Sequence, residues 1–158
     1  MIEVAITEEH LACASVLSEE MGMLNNSITK GEGNLSGFLG EVVVAELTNS
    51  RQANTYDYDL ILPNGKTVDV KTKRTNYTPR DNYDCSVAAF NTKQRCDYYA
   101  FVRVKNDLST AWVLGFYEKK AYFEDSTFYR KGDFDADNGF TFKADCYNIP
   151  INRLKGCP

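Results

Sequence analysis

The chain has 158 residues, 43% hydrophobic, 25% charged and 13% aromatic, a globular composition that excludes collagen-like, low-complexity and wholly disordered sequences. No apolar run reaches the roughly 18 residues a membrane span needs, and MIEVAITEEHLACA lacks both a basic region and a continuous apolar core, so one cytoplasmic domain over 1–158 is expected. The formal net charge of -4 argues against a uniformly basic nucleic-acid binder, yet residues 1–63 hold 2 basic and 10 acidic side chains, residues 64–105 hold 9 and 4, and residues 106–158 hold 7 and 8.

In chain order, Thr7 followed by Glu8 and Glu9 puts acids where a helix N-terminus favours them and predicts a helix over about 7–24. Residues 25–34, NNSITKGEGN, read as a loop, with Asn34 or Ser36 as N-cap of a second helix over about 35–48. That helix has the apolar stripe Leu35, Phe38, Leu39, Val42 and Ala45, widened by Val43, Val44 and Leu47, so it should be largely buried, with Glu41 and Glu46 in an apolar setting. From Tyr56 the period becomes two: Leu60, Leu62, Val68 and Val70 alternate with polar residues around Pro63-Asn64-Gly65, the pattern of a β-hairpin. Strands are expected near 85–90, 98–105 and 110–117, helical residues at 118–125, and short strands and loops over 126–154. The expected fold class is α/β (α+β), a mixed β-sheet flanked by helices.

Several chemistries are excluded early. Cys13, Cys85, Cys96, Cys146 and Cys157 are odd in number and lack zinc-site spacing, so they read as reduced structural thiols. His10 is the single histidine, which leaves catalysis to carboxylates and lysines. Asp133–Gly139 looks like a calcium loop, but Asn138 stands where an EF-hand needs Gly and Ala144 where it needs Glu; a tight acidic turn between strands is expected instead.

The hairpin loop decides which acids meet, because a one-residue slip inverts the facing of one strand relative to the other. Pro, Asn and Gly suit the three positions of a type I turn closed by a left-handed glycine, so Pro63-Asn64-Gly65 should pair Leu62 with Lys66, Leu60 with Val68, Asp59 with Asp69 and Asp57 with Lys71. Leu60, Leu62, Val68 and Val70 then form an apolar face, and Asp57, Asp59, Asp69, Lys71 and Lys73 the opposite one. Two opposed aspartates repel unless a cation lies between them, and hard oxygen donors without His or Cys select magnesium, manganese or calcium.

Gly40-Glu41 on a helix, Asp59 at the start of a hairpin and Asp69-Val70-Lys71 on its second strand together resemble the PD-(D/E)XK nuclease superfamily, over a core of about 35–105. The resemblance implies a restriction-endonuclease-like core and a metal-dependent endonuclease acting on DNA, with Glu41, Asp59, Asp69 and Lys71 as catalytic residues. It implies Mg2+ or Mn2+ held by Asp59, Asp69 and the Val70 carbonyl, and a Lys71 that assists the attacking water. The family has Pro where this chain has Tyr58; Asp57 competes with Asp59 for the ligand position, and Glu46 with Glu41. Gln94 reads either as a further site residue or as a surface glutamine. The basic, aromatic-interleaved segment supplies Lys73, Arg74 and Arg80 as expected contacts to the DNA backbone. No membrane partner is expected, and a homodimer is left open. The competing reading is a nucleic-acid-binding or inhibitory module that keeps the fold without cutting.

Overall fold

A computed structural model of the protein describes residues 1–25, 32–136 and 138–158. Its elements are β1 (Ile2–Ala5), α1 (Glu8–Asn25), α2 (Glu32–Thr48), β2 (Arg51–Gln52), β3 (Leu60–Ile61), β4 (Thr67–Thr75), β5 (Asp84–Ala88), β6 (Tyr98–Lys105), β7 (Thr110–Glu118), α3 (Lys119–Asp125), β8 (Thr127–Tyr129), β9 (Phe134–Asp135), β10 (Phe140–Thr141) and β11 (Cys146–Pro150). Among the described residues no helix is long and apolar enough to cross a membrane.

The first helix starts where its sequence indicates. Thr7 Oγ1 accepts the His10 N–H at 3.2 Å while His10 Nδ1 accepts the Thr7 N–H at 3.1 Å, a reciprocal box that satisfies two otherwise orphaned donors. The second helix departs from expectation. It is already under way at Glu32, so Asn34 and Ser36 lie inside it and not at its N-cap position; residues 26–31 of the expected loop lie outside the described residues. Each glycine in this first part of the helix costs about 1 kcal/mol against alanine. Burial of Phe38 and Leu39, at roughly 1.5–3 kcal/mol each, outweighs that cost.

The main sheet has the order β1-β7-β6-β4-β3-β2, with β4 and β6 parallel and the other neighbours antiparallel. Its first strand was not foreseen; Ile2–Ala5 is short and adds to β7 through long-range pairing that local pattern does not announce. One face carries Val68, Val102, Val104 and Val113, packed against Leu39, Val43 and Val44 of α2 and Ala14 of α1. The other carries Tyr99, Phe101, Trp112 and Leu114, covered by Tyr122 of α3 and by Cys85, Val87 and Ile149 of a small sheet, β5-β11-β8. Tyr122 ties these layers together by donating to the carbonyls of Cys85 (2.9 Å) and Tyr147 (2.7 Å). The fold is thus mixed α/β of the α+β kind, and all five cysteines are free thiols.

The hairpin has the expected register. Leu60 pairs with Val68 and Ile61 with Thr67, the Leu62 N–H donates to Lys66 O at 2.8 Å, and Gly65 takes a φ of 82°. Its first strand is shorter than expected, because Thr55 Oγ1 accepts the N–H groups of Asp57 (3.2 Å) and Tyr58 (3.0 Å) and turns the chain away from an extended path. The acidic stretch at 133–139 is a turn between β9 and β10: Asp135 accepts from Asn138 Nδ2 at 2.8 Å, and Gly139 has a φ of 61°. Asp137 lies outside the described residues.

Candidate functional site

Because β3 pairs with β4 only as far as Leu60, the edge of β4 from Asp69 onward has β6 on one side and, among the described residues, no strand on the other. Asp59 sits at this edge, next in register to Asp69. Its N–H donates to Val68 O at 2.9 Å and its Oδ2 accepts the Val70 N–H at 2.7 Å, so a carboxylate stands in for the missing strand. The N–H and C=O of an extended residue point to the same edge, which directs the Val70 carbonyl here as well.

A helix–strand contact brings the third acid. A Cβ on Gly40 would lie 2.0 Å from Thr72 Oγ1, so the absence of one lets α2 come down onto β4 at this point and carries the next residue, Glu41, to the open edge. Burial, then the charges of Asp59 and Asp69, push the Glu41 carboxyl up to about 9. Burial, then Asp69, push Asp59 up to about 7, against the opposing pull of the Val70 N–H and of Lys71. Glu41 Oε2 and Asp69 Oδ2 are both buried without a hydrogen-bond donor. Asp69 Oδ2 does lie 2.5 Å from Lys71 Nζ, a contact that balances charge although its angles do not make a hydrogen bond.

Lys71 is held from three sides. Its ammonium donates to Gln94 Oε1 at 3.1 Å and lies 5.8 Å from the centre of the Tyr99 ring, while Gln94 Nε2 donates to Tyr56 O at 3.0 Å and the Lys119 ammonium donates to the Gln94 carbonyl. Gln94 therefore adjoins the candidate site as the residue that aims Lys71. Two alternatives fall away. Asp57 does not face Lys71; the turn at Thr55 redirects it, and its Oδ1 accepts the Arg95 N–H at 3.0 Å. Glu46, expected in the apolar stripe, is exposed and pairs with His10 Nε2 on α1.

The basic residues divide. Lys73 is next to Arg103 in the β4–β6 register and donates to Ser86 Oγ at 2.7 Å; the surrounding walls, then Arg103, draw its ammonium below the usual lysine range although the side chain stays open to solvent. Lys71, Lys73, Arg103, Lys143 and Phe140 line a groove of about 510 Å³ that runs along β4 from Val70 and Lys71. Arg74 borders a second groove of about 440 Å³ beside it and donates to Asn106 O at 2.7 Å. Arg80 is exposed on the segment before β5 and lines neither groove. Lys119, Lys143 and the placement of Arg103 beside Lys73 escaped sequence reasoning: the last needs the parallel pairing of β4 with β6, and the two lysines enter from elements remote in sequence.

The oxygen groups near this edge are the carboxylates of Glu41, Asp59 and Asp69 and the carbonyl of Val70. Two of those carboxylate oxygens are buried and undonated. That donor chemistry fits Mg2+ or Mn2+ and not a soft-ligand metal. Among the described residues no three His, Cys, Asp or Glu side chains are gathered closely enough to ligate a metal as they stand; here Lys71 offsets part of the carboxylate charge. No family model matches the sequence, and no curated protein matches it.

Proposed function

We propose that the protein is a metal-dependent endonuclease of the PD-(D/E)XK type, with a restriction-endonuclease-like core, hydrolysing DNA phosphodiester bonds. One observation carries this reading: Glu41 and Asp59 feel the charge of Asp69 at the open edge of β4, beside a lysine that Gln94 aims and that lines a groove together with Lys73, Arg103 and Lys143. Glu41, Asp59, Asp69 and the Val70 carbonyl would hold Mg2+ or Mn2+. When bound, such an ion supplies Lewis-acid polarisation of a phosphoryl oxygen and a water of lowered pKa.

The chain's own residues do the rest. Lys71, steered by Gln94, presents a fixed positive charge next to Asp69, where it can hold a water or a phosphoryl oxygen and offset charge that develops during displacement. Lys73, Arg103 and Lys143 line the groove in which adjoining phosphates would lie. Binding by such contacts weakens steeply with salt.

Incubation with supercoiled plasmid, linear duplex and single-stranded DNA, in magnesium or in EDTA, tests the reading. Cutting should require the metal, and Lys71→Ala should slow it about 100-fold, the scale for losing one preorganised charge-stabilising group. Equal cutting by wild type and Lys71→Ala would place the activity elsewhere. Binding without any cutting would instead establish the non-catalytic module.

A further inference from the structure

Exposed aromatic side chains are ordinary when scattered over a surface. Here one lines the cationic groove and two more lie on segments next to it. Phe140, 44% exposed, lines both the larger groove and its neighbour. Phe90, 75% exposed, sits on the short 3-10 turn Ala89–Asn91, between two residues, Ala88 and Asn91, that line the groove wall. Tyr56, 77% exposed, is at the catalytic end, where its carbonyl holds the glutamine that aims Lys71.

Phe140 is also braced. It packs edge-on against Phe142 with ring centres 5.4 Å apart, and Phe142 in turn stacks on Tyr129 at 4.3 Å. The hairpin that carries Phe140 is tied to the segment before β5, where Asn82 Nδ2 donates to Asn138 Oδ1 at 3.2 Å. A ring fixed from behind and open in front is a platform.

A continuous duplex offers such rings little, because its bases are stacked on one another and present only edges and phosphates to a protein. An unpaired strand offers both surfaces that the groove can use: phosphates for Lys73, Arg103 and Lys143, and free base faces for the aromatic rings. We infer that the site acts on an unpaired nucleic-acid strand, whose backbone follows the cationic groove while bases stack on Phe140 and Phe90. This rests on the nuclease reading and narrows its substrate class.

The test measures binding without cleavage. Fluorescence anisotropy in EDTA compares an oligothymidylate with a blunt duplex of the same length, at one salt concentration. The single strand should bind about tenfold tighter or better. Phe90→Ala and Phe140→Leu should each weaken single-strand binding by about tenfold, the size of a lost base–aromatic stack, and leave duplex binding unchanged. Phe140→Tyr keeps the π face and should bind as wild type, which separates stacking from packing; circular dichroism verifies that each variant is folded. Duplex binding equal to or tighter than single-strand binding overturns the inference and leaves metal-dependent cutting of duplex plasmid intact as a reading. So does Phe140→Leu binding as well as Phe140→Tyr. Failure to bind either oligonucleotide overturns it together with the assignment of the groove to nucleic acid, whereas absence of metal-dependent cutting with single-strand binding retained would fell the nuclease reading alone.

Discussion

Glu41 and Asp59 hold protons in the folded protein that they would release in the unfolded chain. Glu41 moves from an ordinary 4.5 to about 9, and Asp59 from 3.8 to about 7. Between the unfolded and folded values the native state binds more protons than the unfolded one, so stability falls with rising pH, over roughly 4 to 7 for Asp59 and up to about 9 for Glu41. Urea midpoints measured in EDTA should therefore decline between pH 7 and 9 through Glu41, and Glu41→Gln, which cannot ionise, should flatten that decline. A wild-type decline unchanged by Glu41→Gln would show that the carboxyl titrates in its ordinary range. Magnesium bound as proposed would act in the opposite direction, since its ligands must be ionised to bind it: its affinity should rise over the same interval.

At the scale of elements, the contact between α2 and β4 sets the site. Alanine is the better helix former by about 1 kcal/mol, so Gly40→Ala would stabilise an isolated helix. In the folded protein the new methyl group would meet Thr72 Oγ1 at 2.0 Å, with Thr72 Cβ at 3.2 Å and Cγ2 at 3.3 Å, and a change of rotamer at this stiff β-branched side chain still leaves its Cβ at 3.2 Å. We expect Gly40→Ala to cost about 1–3 kcal/mol by overpacking and to displace Glu41 from the open edge. Thr72→Ala removes the hydroxyl and the methyl, and in that background Gly40→Ala should be nearly neutral or stabilising. The coupling is read by a double-mutant cycle of urea midpoints, and additive costs would disprove the contact. The short β3 matters as much: had it continued past Leu60, the edge that receives Asp59 and Glu41 would have been filled by backbone.

For the whole molecule, acids whose charges oppose the ionisation of Glu41 and Asp59 at the edge of β4 are a local liability that a cation, bound as proposed, would relieve. Magnesium or manganese should raise thermal stability by about 2.7 kcal/mol when free metal is a hundredfold above its dissociation constant. For a chain of this length that corresponds to roughly 5–11 °C. Asp69→Asn should lose most of the gain, and a melting temperature unmoved by either metal over a wide titration would count against the site. The two apolar layers on opposite faces of the main sheet make such a readout global, because Glu41 emerges from α2, Asp69 and Lys71 from β4, and Asp59 directly before β3, elements that belong to the core.

Local physics was legible in the sequence where a short segment contains its own answer. The register of the hairpin followed from the three-residue turn closed by Gly65, and the strands expected near 98–105 and 110–117 from apolar-rich segments bounded by turn residues; they are observed as Tyr98–Lys105 and Thr110–Glu118. The meeting of Asp59 with Asp69 came with that register. Tertiary structure decided what long-range contact controls. The pairing of β1 with β7 and of β4 with β6, the Arg95 N–H that holds Asp57, and the buried His10 of α1 that pairs with Glu46 all depend on residues distant in sequence. So does the place of Gln94. Between two carboxylates of similar chemistry on one helix, the sequence carries no energy difference; the approach of Gly40 to Thr72 supplies it, by bringing Glu41 and not Glu46 to the open edge of the sheet.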